Sequence, residues 1–485
     1  MAGTIADLLR LHARTRPHHE AVVSPAANID YRALDRMVDG LCHRLHAAGV
    51  RAGALVGLSL PDDLRHLVSL LAVIRLGAVI LPLDRRWSRA ERLDVAARFD
   101  ASFVLSDEAD GPANWMHLAD AVPPASTASF AASDVELDAP MVLSLSSGTT
   151  GVPKGPRLTH RQLISRFMVY WIDIGLGSRD RFAVATPLFF GGGRAFALSM
   201  IYAGGTICLF PPPFEPAELR AFVAASGATA MFLVPTQLRR LLAEPPGTLA
   251  FPGLRALISS GSVLFGSEAE AVIRRLSPEL YQYYASTEAG GVTLLTPNEL
   301  RARPGSVGRP CFGVQVEVVD EADRPVPPGT LGRLRYRSPA SPVAYHVGEA
   351  AGAFRDGFFY PGDLARFDAE GFLTLQGRAK DMIIRGGVNI HPSDIEQVLL
   401  DLPQVCEAAV TGVPSAELGE EVAAFIVAAG QLTAAEVRAA CAARLARYKV
   451  PKTVVFLDAL PKNSAGKIVK SALPELLALR PKETA

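Results

Sequence analysis

Short apolar runs of strand length recur along the chain, and helix-like stretches separate them. They read "ALVGLSL" (54–60), "AVILPL" (78–83), "SFVLS" (102–106), "RFAVATPL" (181–188), "GTICLF" (205–210), "ATAMFLVP" (228–235) and "ALISSG" (256–261). This alternation predicts an α/β fold with mainly parallel sheets. From about residue 313 the rhythm changes to short strands and turn signals: "VQVEVVD", "PVPPG", "GRLRYRS" and "GFLTLQG". A smaller β-rich subdomain is expected there. Beyond Arg378 the helix-like stretches 392–402 and 433–448 suit a small α+β domain. The expected division is 1–379 for the large N-terminal domain and 380–485 for the C-terminal one.

A chain of 485 residues has room for two or more domains and a large core. Its 49 basic and 49 acidic residues cancel, so no general attraction draws it to nucleic acid or to an anionic membrane. The apolar stretch "HLVSLLAVIRLGAVILPL" (66–83) is broken by Arg75 and Gly77 and reads as a buried helix running into a strand. Residues 1–20 hold no apolar segment, so no export signal is expected. The five cysteines are scattered without metal-ligand spacing, which suits core packing in a reducing cytoplasm.

Chemistry first shows at 144–155, "SLSSGTTGVPKG", directly after Met141-Val142-Leu143. Glycines admit an anion to the backbone, hydroxyls and amides donate to its oxygens, and Lys154 adds positive charge. A Gly/Ser linker would share this composition. The strand-like segment before it and the helix-like one from about His160 favour a phosphate-binding loop instead, with donors aimed at one point. The Walker pattern fails, because Pro153 precedes Lys154 and Gly155 follows it. "FFGGGRAF" (189–196) lacks the spacing of a dinucleotide fingerprint.

The loop does resemble that of the adenylate-forming superfamily, which comprises acyl-CoA synthetases, adenylation domains and luciferases. "YYASTEAG" (283–290), "GSVGRP" (305–310), "YPGDLARFDAEGFLTLQGRAKDMIIRGGVNIHPSDIE" (360–396) and "PKNSAGKIVK" (461–470) match further motifs of that superfamily in order. The resemblance implies a large domain of mainly parallel sheets with a β-rich subdomain, then a small mobile α+β lid. It also implies activation of a carboxylic acid by ATP. Ser146, Ser147, Gly148, Thr149, Thr150 and Lys154 would hold the phosphates, with Ser286 and Thr287 near the α-phosphate. Tyr284 would face adenine, with the Ser260-Gly261-Ser262 backbone as the opposite wall. Asp363 would take the ribose hydroxyls and Arg378 the ribose or phosphate; Glu288 would carry Mg²⁺. Lys467 would bridge the acid and the α-phosphate, a compact charge delivered on domain closure. Taken singly, each of these is an ordinary surface, turn or core residue. Their joint presence argues against a non-catalytic nucleotide sensor.

Lys380 falls at the pivot position of the superfamily, and rotation there would exchange Lys467 for Gly386 and Gly387, which leave room for a pantetheine arm. The hinge segment looks more like that of aryl- and acyl-CoA ligases than of peptide-synthetase domains. CoA is therefore the expected acceptor, although a carrier protein presents the same thiol and arm. Phe189, Phe190, Gly191, Gly192, Gly261 and Gly290 would line the acid pocket, which reads as mostly apolar and fit for an aromatic or modest aliphatic acid. No acidic residue stands in the segment after "PLFF", which argues against an α-amino acid, whose ammonium would be buried unpaired. Several positions depart from the superfamily pattern: Phe190 for a common histidine, Pro361 for threonine, Ala285 for glycine. Arg194 could pair a second carboxylate on a diacid or could be structural.

Overall fold

A computed structural model describes residues 3–118, 125–131, 135–147, 153–210, 212–245, 247–262, 264, 266–342, 352–415, 417–462 and 467–478. A nine-stranded sheet forms its largest layer. In spatial order its strands are Arg309–Pro310, Gly290–Leu295, Leu280–Ser286, Ala256–Ser259, Ala230–Leu233, Arg181–Val184, Thr206–Leu209, Glu20–Val23 and Asn28–Asp30. The six from Leu280–Ser286 to Glu20–Val23 run parallel, and the strands outside them are antiparallel. A second sheet of six strands contains Pro140–Leu143, Val79–Pro82, Leu55–Ser59, Phe103–Ser106 and Trp115–His117 in parallel, with Arg157–Thr159 antiparallel at one edge. Leu55–Ser59, Ala230–Leu233 and Ala256–Ser259 are buried at every residue, as strands covered on both faces must be.

The helix Leu64–Arg75 fills the space between elements; only its first residue escapes full burial. Its last guanidinium, Arg75, is sealed in the core, where Asp35 and Asp39 (2.7 Å) neutralise it. The apolar stretch 66–83 is thus a core helix leading into the strand Val79–Pro82, as its sequence predicts. No helix among the described residues is long and apolar enough to cross a membrane.

The chain changes character where its rhythm does. Six strands between Gln315 and Arg378 form an antiparallel sheet. "PVPPG" is not a strand there: Val319 and Pro325 make an isolated bridge, because proline removes ladder donors. Beyond Arg378 a short 3₁₀ turn, Ala379–Asp381, leads to five strands packed with the helices Pro392–Leu400 and Ala434–Arg444. That unit has its own apolar centre around Ile383, Ile395, Val410 and Ile426.

The helix expected from about His160 begins there, and an antiparallel strand separates it from the phosphate-type loop. Ser146–Ser147 pairs with Pro153–Lys154, and Arg157–Thr159 returns antiparallel along Pro140–Leu143. The helix His160–Ile172, capped by Thr159 and Gln162, therefore starts at the far end of that returning strand. Gly155 marks the close crossing: a Cβ there would lie 1.9 Å from the Ser144 carbonyl oxygen.

Candidate active site

Parallel strands end side by side, so the residues that follow them meet at one edge of the sheet. Ser260-Gly261-Ser262 follows Ala256–Ser259, and Thr287-Glu288 follows the neighbouring strand Leu280–Ser286. They open onto a cleft of about 2050 Å³ between the large parallel layers and the C-terminal unit. Tyr284, Ser286, Asp363, Arg378, Lys380 and Lys467 also line it, as do Phe189, Phe190, Gly191, Gly192 and Gly290. This volume exceeds that of an ordinary small-ligand pocket and leaves room for several ligand groups at once.

The Thr287-Glu288 pair sits in a hairpin whose strands close with Ser286 opposite Gly290. Ser286 Oγ accepts from the Ala289 amide at 2.9 Å, and Gly290 adopts φ +74°. A left-handed glycine after a tight loop matches the twist of the hairpin. Underneath lies Arg166, a buried residue that the sequence motifs did not point to. Its Nη2 donates to the carbonyls of Thr287 (3.1 Å) and Glu288 (2.7 Å), fixing the turn from below. A Cβ on Gly290 would come within 2.8 Å of Arg166 Cγ. Glu288 is buried in the cleft wall, not displayed on the surface as most glutamates are.

Asp363 and Arg378, fifteen positions apart in sequence, are direct partners in an antiparallel pair, and Arg378 Nε donates to Asp363 at 3.3 Å. Tyr284 donates its hydroxyl to the same carboxylate. Burial pushes the Tyr284 phenol well above its ordinary value, and the Asp363 charge adds to the rise. Three residues from distant segments thus form one hydrogen-bonded group. The contact is specific enough that Tyr284 has a polar task beyond presenting a flat ring.

Lys467 reaches this group from the C-terminal unit. Crowding in the cleft lowers its ammonium from the usual lysine value and Arg378 lowers it further, while Asp363 and Glu288 act in the opposite direction. The side chain keeps contact with solvent. Its segment is braced at both ends: Lys462 pairs with Glu407 (2.5 Å) and Lys470 with Glu396 (2.6 Å), and Val469 donates to the Pro461 carbonyl. Glu396 and Glu407 went unnoticed in the motif reading because their partners lie more than fifty residues away.

Around Phe189 and Phe190 the chain turns sharply into the helix Gly191–Ala203. Gly193 cannot carry a Cβ, which would lie 2.4 Å from the Pro187 carbonyl oxygen, and one on Gly192 would meet Phe232 at 2.7 Å. The turn is held by a carboxylate that is distant in sequence. Asp62 accepts from the Leu188 amide at 2.6 Å, and burial pushes its carboxyl up to about 6 against the pull of the Leu188 and Phe189 amides. Arg86 stacks over the Phe189 ring at 4.9 Å. Phe196, Phe232, Tyr170 and Tyr283 continue the aromatic wall.

Not every predicted residue is in view. Gly148, Thr149 and Thr150 lie outside the described residues, and of Ser146, Ser147 and Lys154 only the backbone ladder is described. Gly386 and Gly387 do not line the cleft. They form the turn between Ile383–Arg385 and Val388–Ile390 with φ +55° and +81°, a two-residue hairpin that calls for glycine on conformational grounds. Among the described residues no group of three or more His, Cys, Asp or Glu could hold a metal unaided.

Strand ends of parallel sheets, a Thr-Glu hairpin, an Asp–Tyr–Arg group and a lysine delivered by a separate unit together describe an adenylate-forming enzyme. The comparisons agree. The chain belongs to the AMP-binding enzyme family, whose main domain it matches over residues 9–345 and whose C-terminal domain it matches over 394–467. It is 34% identical to a feruloyl-CoA synthase of Amycolatopsis sp. over 94% of this chain and 96% of that one. Among solved structures, ATP-bound MatB from Rhodopseudomonas palustris superposes with a TM-score of 0.89 at 29% identity, covering 98% of this chain and 99% of that one. The same protein without ATP gives 0.78. The o-succinylbenzoate CoA synthetase of Bacillus subtilis, in complex with its acyl-adenylate, gives 0.87 at 25% identity over 96% and 97% of the two chains.

Proposed function

We propose that this protein is an AMP-forming acid–CoA ligase. It activates a carboxylic acid with ATP, releases pyrophosphate, and then passes the acyl group to the thiol of CoA. The observation that carries this reading is the position of Lys467, on the C-terminal unit yet within electrostatic reach of Glu288, Asp363 and Arg378. Attack of the carboxylate on the α-phosphorus brings anionic groups together, and positioned cations and donors lower that barrier. In this reading Lys467 bridges the acid and an α-phosphate oxygen, Thr287 donates to the α-phosphate, and Ser286 keeps their turn closed. Asp363 and Arg378 bind the ribose, Tyr284 stands beside adenine, and Ser260-Gly261-Ser262 forms the other wall. Ser146, Ser147, Gly148, Thr149, Thr150 and Lys154 take the β- and γ-phosphates.

Glu288 is a single buried carboxylate, which suits Mg²⁺, an ion that keeps phosphate and water ligands and needs few from protein. Mg²⁺ would supply Lewis-acid neutralisation of the phosphates. Phe189, Phe190, Gly191, Gly192, Gly261 and Gly290 line the acid site, whose aromatic walls favour an aromatic or modest aliphatic acid. After adenylation, residues 380–485 turn as a lid about Lys380, and the hairpin at Gly386 and Gly387 guides the pantetheine arm. The higher TM-score with the ATP-bound relative than with its ATP-free form supports taking the present arrangement as the adenylating one. CoA is the acceptor favoured by the CoA-ligase relatives, and a carrier protein is the alternative. The test is acid-dependent release of AMP and pyrophosphate from ATP and Mg²⁺ across a carboxylate panel, followed by separate addition of CoA and of a carrier protein. Nucleotide binding without turnover on any acid would refute the reading.

A further inference from the structure

Arg194 occupies the first turn of the helix Gly191–Ala203 and lines the cleft, yet is only 5% exposed. Its Nη1 donates to the carbonyls of Leu188 (3.2 Å) and Phe189 (2.7 Å). Nε and Nη2 have no acceptor among the described residues, and neither is fully sealed as Arg166 Nε is. Two other deeply buried guanidiniums pair with carboxylates, Arg75 with Asp35 and Asp39 and Arg92 with Glu108 at 2.6 Å, whereas Arg166, like Arg194, donates to backbone carbonyls. Among the described residues no carboxylate forms an ion pair with Arg194. Burial, with Arg166 as another cation acting in the same direction, brings its guanidinium down to about 10, so it remains charged at neutral pH. His66 is held down to about 4 by burial and by Arg194, so it stays neutral and adds no charge of its own.

Two further features converge on the same place. Phe190 caps the helix without any side-chain hydrogen bond, and a Cβ on Gly191 would meet nothing within 4 Å, so the helix start faces open space. A helix N-terminus with a buried guanidinium beside it is a receptor for an anion. A guanidinium with Nε and Nη2 to spare suits a carboxylate, which can accept from both in parallel. Arg194 stands on the helix Gly191–Ala203 of the large domain and Lys467 on the C-terminal unit, so the cleft receives the two cations from different elements.

We propose that Arg194 is a specificity-determining residue that binds a second carboxylate of the substrate, making the acid a dicarboxylic one held at one end by Arg194 and activated at the other. This deepens the ligase reading and rests on it. The test is acid-dependent ATP–pyrophosphate exchange by the full chain on matched pairs of aromatic acids, with and without a second carboxylate. The wild type is expected to favour the diacid by at least about tenfold in kcat/KM. Arg194→Met should lose roughly 10- to 100-fold on the diacid, mostly through KM, and change little on the monoacid. Arg194→Lys, which keeps the charge, should recover part of the loss. Stabilisation by ATP and Mg²⁺ in a thermal melt should be unaltered in both variants. If Arg194→Met fails to fold, the wild-type preference and Arg194→Lys decide. Equal use of both acids by the wild type, or equal loss on both in the variants, overturns the proposal and leaves the ligase reading standing. Exchange with neither class overturns this inference, and exchange with no acid of the wider carboxylate panel overturns the ligase reading itself.

Discussion

Replacing Lys467 by alanine separates what the residue does for chemistry from what it does for the fold. Its ammonium is shifted down by cleft crowding and by Arg378, with Asp363 and Glu288 only partly offsetting them. A lysine whose folded value lies below its unfolded one carries a penalty while it is protonated. That penalty is present at neutral pH and relieved as pH rises toward the unfolded lysine value. Removing it should leave the melting temperature unchanged or slightly higher. Adenylation should behave differently, because the ammonium is the one lysine among the described residues facing Glu288, Asp363 and Arg378. Loss of one positioned transition-state donor costs about 10²–10³-fold, or roughly 3–4 kcal/mol. ATP–pyrophosphate exchange measures that step. Thioester formation from synthetic acyl-AMP and CoA measures the other, where the variant should retain near-normal rates. Equal loss in both half-reactions, or a drop in stability that accounts for the lost exchange, would refute the reasoning.

Arg75→Met should destabilise the protein by about 3–5 kcal/mol in urea unfolding, because Asp35 and Asp39 would lose a buried counter-charge. Asp62 has a folded value of about 6, above its unfolded one, so its contribution to stability is lost as pH rises from about 4 to 6. Asp62→Asn should flatten that part of the stability profile, measurable as melting temperature against pH. Gly290→Ala meets both a left-handed backbone and Arg166 at 2.8 Å, and should cost at least about 1–2 kcal/mol of stability. Because the strain falls on the Thr287-Glu288 turn, exchange activity should fall more than fluorescence-monitored unfolding alone would suggest.

The parallel-sheet architecture was legible because its signal is local. Buried strands such as Leu55–Ser59 and Ala256–Ser259 are continuous apolar runs, and each can be read without knowing its neighbours. The same holds for contiguous motifs: Thr287-Glu288, Asp363 and Arg378 could be picked out, and the fold brings them to one cleft with Lys467. Less legible were turns whose residues serve geometry. Gly386 and Gly387 take positive φ angles in a two-residue hairpin, a geometric demand that their reading as room for a ligand arm did not include. The helix from His160 was legible, but the short antiparallel strand Arg157–Thr159 between it and the glycine loop was not.

By itself the chain determined its layers, its change of rhythm near residue 313, and the chemistry carried in short contiguous segments. Tertiary structure alone decided which groups support that chemistry. Arg166 reaches the Thr287-Glu288 carbonyls across more than a hundred residues, and Asp62 reaches Leu188 likewise. Tyr284 meets Asp363 across seventy-nine. Periodicity and motif spacing report on neighbours along the backbone. The charge balance of a buried site depends on groups brought together by packing, and its sum, including the missing counter-charge at Arg194, exists only once the sheets have closed around it.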